Sequence, residues 1–422
     1  MRIAHGALLN LTGHAAPLLA ALFALPALID ALGPERFGFL ALAWALVGYF
    51  SLFDLGLARA LSRLVAERRG SAGEAELPAL SGGALSLTFA LGFVGGLLLY
   101  ASAEWICGRM LKLPPAMLQE GTAAVRILAA CLPLVTLTAA LRGLLEGARY
   151  FGWVNAIRVP LGILTFVAPL AVVSEPSPLP AVCAVLAGLR IFALAAHWAV
   201  CWKLMRPLAV PRLPGREVLQ QMLGYGAWIT VSNVVGPLMV YADRFVIGAL
   251  ISVAAVGYYA APYEVLTRIW VLPAALTGAL FPALAAATVA EARALQRKGV
   301  LAILATAVPI ALIAGLLAPF WMSLWLGEDY ATQGARVAQW LAFGIAVSCL
   351  AHIPLTLLQA RGRADLTGML HFAELPFYLG LLWILIRSHG IEGAAIAWSV
   401  RCLADSLILF LLVRQQLRRE AR

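Results

Sequence analysis

Long apolar runs follow one another along the whole chain, separated by short polar or proline- and glycine-rich breaks such as GPERFG, ERRGSAGEAELP, SEPSPLP, LGEDYATQG, RGRAD and RSHGIEG. A helix needs about 20 apolar residues to cross a bilayer. The pattern predicts about twelve spans, with cores near 7–31, 38–66, 79–103, 118–146, 154–174 and 180–203, then 218–250, 256–287, 298–324, 334–360, 366–386 and 391–413. Each break is a turn between antiparallel helices. The expected fold is an all-α integral membrane protein of two six-helix lobes, residues 1–203 and 218–422. The stretch KLMRPLAVPRLPGRE, with three prolines and four basic residues, supplies an inter-lobe linker over 204–217. Interior prolines, including Pro17, Pro26, Pro237, Pro262, Pro273 and Pro282, predict kinked helices.

Composition agrees. Of 422 residues 62% are hydrophobic and 12% charged, about half the charged share of a soluble domain. The N-terminal run continues into an ordinary span with no small-residue cleavage site, so no cleavable signal is expected.

The basic residues orient the chain. With the N-terminus inside, nineteen lysines and arginines fall in inner segments and five, Arg36, Arg109, Lys112, Arg336 and Arg387, in outer loops. This positive-inside bias puts both termini in the cytoplasm. It also accounts for most of the net charge of +10, and no compact basic domain exists to bind nucleic acid. The six cysteines show no CxxC or Cys/His spacing, and no GxxxxGK[ST] loop occurs, so no metal, nucleotide or other cofactor is expected.

Seven arginines lie inside predicted spans: Arg59, Arg126, Arg158, Arg190, Arg244, Arg268 and Arg401. A charge near the bilayer centre costs about 2.5–3.5 kcal/mol on translocon scales. Several such cations suggest a hydrated pocket for an anion. At about 1.5 Å of rise per residue, Arg190, Arg268 and Arg401 fall near the midplane. Arg59 sits toward the inner mouth and Arg244 toward the outer one, while Arg126 and Arg158 lie near helix ends and snorkel. The competing reading is pairing: Glu264 with Arg268, and Arg401 with Asp405, are each four residues apart. Among acids, Asp54, Asp243, Glu264, Glu374 and Asp405 are candidate gating groups or coupling sites for H⁺ or Na⁺. His14, His352 and His371 are candidate relays, against the plainer reading of packed, satisfied side chains.

The halves echo each other. LIDALGPERFGFLALAWAL and VIGALISVAAVGYYAAPYEV both place Ala-Leu before a short loop and then a glycine with an aromatic, Gly38-Phe39 and Gly257-Tyr258, as in a parallel repeat. The run ALGPERFGFLALAWALVGYFSLFDLGLARALSRLVAERRG, residues 31–70, resembles the second-helix signature of the Wzx-type polysaccharide flippases. The matching elements are Leu-Gly-Pro-Glu-x-Phe-Gly and Phe-Asp-Leu-Gly-Leu followed by an arginine. YADRFVIGALISVAAVGYYAAPYEV, residues 241–265, is similar to the corresponding second-lobe segment.

The resemblance implies a V-shaped, pseudo-two-fold pair of six-helix bundles in the bacterial inner membrane. By alternating access it would move an undecaprenyl-diphosphate-linked oligosaccharide, an O-antigen, capsule or exopolysaccharide repeat unit. The five arginines Arg190, Arg268, Arg401, Arg59 and Arg244 would then bind the diphosphate, since a planar guanidinium takes phosphate oxygens in pairs. Membrane lipids surround the chain, a monomer is expected, and polysaccharide polymerase and glycosyltransferases are candidate partners. The alternatives within the superfamily are an ion-coupled drug or organic-cation antiporter and a lipid II flippase. A membrane glycosyltransferase is disfavoured, because the outer loops are too short for a catalytic domain; no enzyme activity is expected.

Overall fold

The computed structural model describes residues 2–50, 54, 56–70, 72–174, 178–213, 215 and 239–420, with side chains from residue 19 onward apart from those of 49, 72, 279, 282 and 364. Residues 218–238 of the predicted seventh span, Pro237 among them, lie outside the described residues. So do 214, 216 and 217 of the linker, Phe53 and Leu55 of the signature, and the side chains of His14, Pro17 and Pro282.

Every regular element among the described residues is helical. In the first half these are α1 (Arg2–Tyr49), α2 (Leu57–Arg68), α3 (Leu77–Trp105), α4 (Pro115–Gly147), α5 (Phe151–Val167) and α6 (Pro178–Met205). The second half holds α7 over 239–250, α8 (Val253–Leu266), α9 (Val271–Ala286), α10 (Val289–Ala305), α11 (Ala307–Leu316), α12 (Ala318–Leu326), α13 (Glu328–Ala360) and α14 (Ala364–Glu420). Eight helical stretches among the described residues are long and apolar enough to cross a membrane. Two long helices are each a pair: α1 breaks at Gly33 (φ 69°, ψ 170°) and α14 at Gly390 (φ 60°, ψ −139°). Both fall at breaks the sequence predicts, and only glycine adopts a positive φ there without strain. The chain is a multi-pass, all-α membrane protein.

Three predicted spans are not continuous rods. Span 38–66 is interrupted between Tyr49 and Leu57, where Asp54 is buried and its Oδ1 accepts the Gly56 N–H at 2.9 Å. With Gly56 at φ 72°, this Asx-type turn starts α2. Span 256–287 tightens into a 3₁₀ turn at Thr267–Trp270. Span 298–324 divides where Pro309 and Pro319 occupy the first turns of α11 and α12, positions that tolerate the missing N–H.

The backbone forms two compact units, residues 12–241, and 242–422 together with 1–11. In the first, α2, α3 and α6 pack on α4. The approach is close because glycines four apart line the contacts. A β-carbon on Gly92 would stand 2.7 Å from the Cα of Pro133, and one on Gly143 or Gly147 would stand 2.4 Å from the carbonyl of Ala58 or Ser62. This small-xxx-small packing suits helices in lipid, where no hydrophobic drive between helices exists. In the second unit α13 takes the central place among α14, α11, α12, α8 and α9, and Gly344 lets Trp398 of α14 lie against it. The two central helices, α4 and α13, are both 33 residues long. Leu97, Leu98, Leu324 and Phe377 stand exposed on the outside, as lipid contact requires.

Gly143→Leu drives a side chain into the α2 backbone and is expected to cost about 1–3 kcal/mol. Gly152→Ala, where nothing lies within 4 Å of the added carbon, is expected to melt at or above the wild-type temperature. Thermal unfolding of the detergent-solubilised proteins checks both.

Candidate functional site

The second unit gathers its polar residues into one cluster. On α7, Asp243 and Arg244 are fully buried. Asp243 Oδ2 accepts the Tyr259 hydroxyl at 2.5 Å and its Oδ1 accepts the Arg244 N–H at 2.7 Å. The Arg244 guanidinium lies over the Tyr263 ring, 5.0 Å from its centroid, and donates to Glu264 Oε1 at 2.8 Å. The other oxygen of Glu264 accepts from Arg268 Nη2 at 3.2 Å. One carboxylate therefore serves two guanidiniums, one from α7 and one from the turn after α8.

Aromatic rings carry the cluster toward α14. Tyr259 stacks with Tyr263 at 6.0 Å, Tyr263 meets Trp398 edge-on at 5.7 Å, and Trp398 faces Trp270 at 6.2 Å. Arg401 lies over Tyr378 and Trp398, at 5.6 and 5.9 Å, and donates to Cys402 Sγ at 3.4 Å. The hairpin in α14 then brings His371 and Glu374 of its first half beside Asp405 of its second. Their ligand atoms lie within 4.8 Å of one another, and His371 Nε2 pairs with Asp405 at 3.4 Å. Both carboxylate oxygens of Glu374 are buried with no hydrogen-bond partner among the described residues.

Seven of the ten nominated residues thus meet in one place: Arg244, Arg268, Arg401, Asp243, Glu264, Glu374 and Asp405. The cluster is not simply cationic, since three guanidiniums face four carboxylates. Of the two predicted pairs, Glu264 with Arg268 forms, while Asp405 turns to His371.

Arg190, Arg59 and Asp54 belong to the first unit. Arg190, on α6, has its Nε buried and makes no hydrogen bond or ion pair with any described residue; its ionisable neighbour is Cys131 of α4. Arg59 is exposed on α2, and Asp54 feels it and Arg142 electrostatically. Arg126 lies 5.3 Å over the Tyr100 ring and Arg158 is exposed.

Sequence reasoning missed two features. One is the aromatic ladder, whose trace is Tyr259 and Tyr263 four apart on one helical face. The other is a clasp in the first unit, where Glu120 accepts from Arg36 at 3.2 Å and from the Leu179 N–H at 3.0 Å. It ties the signature turn to α4 and to the start of α6; sequence reading left Arg36 in an outer loop without a partner.

The model of the family described as polysaccharide biosynthesis protein matches residues 3–288. The chain belongs to the polysaccharide biosynthesis protein family. Like it, a protein of Shigella flexneri described as "Putative O-antigen transporter" is similar along its length, 30% identical over 413 residues, with 97% of each chain covered. The fold of this family member is also that of the MOP superfamily transporters. An inward-facing multidrug resistance MATE family transporter matches with TM-score 0.80 at 15% identity, covering 97% of this chain and 98% of the other. An outward-facing one matches with TM-score 0.65 at 14% identity, covering 99% and 95%.

Glu264→Gln strips buried Arg244 of its charged partner and is expected to cost about 3–5 kcal/mol. Arg268→Ala, at the more exposed end of the same carboxylate, is expected to cost about 1 kcal/mol or less. Melting temperatures of the two purified variants check the order.

Proposed function

We propose that this family member is a flippase that carries an undecaprenyl-diphosphate-linked oligosaccharide across the bacterial inner membrane by alternating access between the lobes 1–203 and 218–422. The observation that carries the reading is the end-to-end similarity to a protein named as an O-antigen transporter. The site chemistry supports it. Moving a diphosphate through hydrocarbon unaided is prohibitive, because each desolvated ion costs several kcal/mol or more. A wet cavity offering guanidiniums substitutes for the lost hydration.

Arg190 has a buried Nε and makes no hydrogen bond or ion pair with a described residue. It is the foremost candidate for the phosphates, with Arg401, which lies over the Tyr378 and Trp398 rings, second. Arg244 and Arg268 are committed to Glu264 and reach substrate only if that pair opens. Arg59 stands exposed as a first contact. Coupling to H⁺ or Na⁺ falls to the acids, foremost Glu374 with Asp405 and His371, whose facing atoms lie within 4.8 Å of one another; Asp243, Glu264 and Asp54 are already held by hydrogen bonds. The positive-inside count supports cytoplasmic termini.

In a strain lacking the chromosomal copy, Arg190→Ala is expected to abolish export of the surface glycan at normal protein level, with lipid-linked glycan accumulating on the cytoplasmic face. Arg190→Lys is expected to restore it in part, since it keeps the charge and loses the fork. Full complementation by Arg190→Ala, with no accumulation, would overturn the assignment.

A further inference from the structure

The second unit carries a groove that the transport reading does not use. It has a volume of about 740 Å³ and runs between the start of α10 and the last turns of α14. Its apolar wall is Leu407, Phe410 and Leu411; its rim holds Arg293, Arg414 and Arg418. Leu407 and Leu411 are each more than half exposed. None of the three arginines makes an ion pair or hydrogen bond with a described residue, although acids pair elsewhere on the same face, Arg361 with Glu420 and Arg363 with Asp365.

We propose that this groove is a binding site for an anionic phospholipid, with the phosphate among the three guanidiniums and an acyl chain along Leu407, Phe410 and Leu411. Charge complementarity sets the headgroup: three unneutralised cations around one opening suit a phosphodiester and repel none of its oxygens. The vertical order sets the molecule. From Phe410 to Arg414 and Arg418 is one and two helical turns, about 6 and 12 Å. A lipid lying along the helix places its headgroup and upper chain at that spacing within a single leaflet of about 15 Å. The volume is that of a small-molecule site, about 300–1,000 Å³, so headgroup and upper chain fit while a glycan head would project out. On the orientation proposed above, the groove opens to the inner leaflet, but the site itself depends on the groove's chemistry and not on the cargo carried.

The test uses the full purified chain in detergent, melted with phosphatidylglycerol, cardiolipin, phosphatidylethanolamine, undecaprenyl phosphate or inorganic phosphate added in turn. Phosphatidylglycerol or cardiolipin is expected to raise the melting temperature where phosphatidylethanolamine and inorganic phosphate do not. A basic residue near a lipid surface contributes about 1 kcal/mol, or roughly fivefold, so Arg414→Gln with Arg418→Gln is expected to weaken the apparent affinity roughly 30-fold. Arg419→Gln, an exposed neighbour outside the groove, is expected to keep the wild-type response. An equal response to phosphatidylethanolamine, or an unchanged response in the double variant, would refute the site. A response to undecaprenyl phosphate but not to phosphatidylglycerol would also refute it, and would assign the groove to the carrier. Glycan export by the double variant separates this site from the transport reading: Arg190→Ala loses export whichever lipid fills the groove.

Discussion

Glu264 holds two guanidiniums at once, and the interior of the second unit is organised around that carboxylate. Arg244 is fully buried; without a partner, its charge would be too costly to keep in a low-dielectric interior. Glu264 answers it from α8, and Asp243 stands next to it, held by the Tyr259 hydroxyl. Because the partners come from α7, α8 and the turn beyond, the ion pairs fix how these helices approach. The aromatic ladder then extends the same packing to Arg401 on α14. A membrane interior offers little hydrophobic drive between helices, so close glycine contacts and buried polar ties hold the bundle.

That arrangement divides the buried arginines into two kinds. Arg244 and Arg268 have their counter-charge built in, and the energy of burying them is met inside the unit. Arg190 has a buried nitrogen and no counter-charge among the described residues. A cation left so is stabilised by water or by an anionic ligand, and a lipid-linked diphosphate is both large and doubly charged. The His371, Glu374 and Asp405 group is the opposite case, two carboxylates beside one imidazole with their facing atoms within 4.8 Å of one another.

Much of this was legible in the sequence, for physical reasons that differ by feature. Apolar run length located eight membrane-spanning stretches among the described residues, and Gly33 and Gly390 fell within the predicted breaks, because hydrophobic length and positive-φ glycine are local properties. The signature motif also has a local meaning: Asp54 and Gly56 make the turn that starts α2. Pairing was harder to read. Spacing of four marks Glu264 with Arg268, but it cannot reveal that Arg244, twenty residues upstream, shares the same carboxylate. Nor can it show that a hairpin hands Asp405 to His371. Long-range partners such as Arg36 and Glu120, 84 residues apart, are set by topology and leave no periodic trace.

The central claim is that the uncompensated cation of the first unit meets the phosphates while the compensated ones of the second hold the structure. Equilibrium binding of undecaprenyl diphosphate to the purified protein tests it most directly, comparing wild type with Arg190→Ala at matched melting temperature. The account predicts that Arg190→Ala loses at least tenfold in affinity, the loss of a charge-assisted contact worth about 1.5–3 kcal/mol, with stability unchanged. Equal affinity in the two proteins would contradict it.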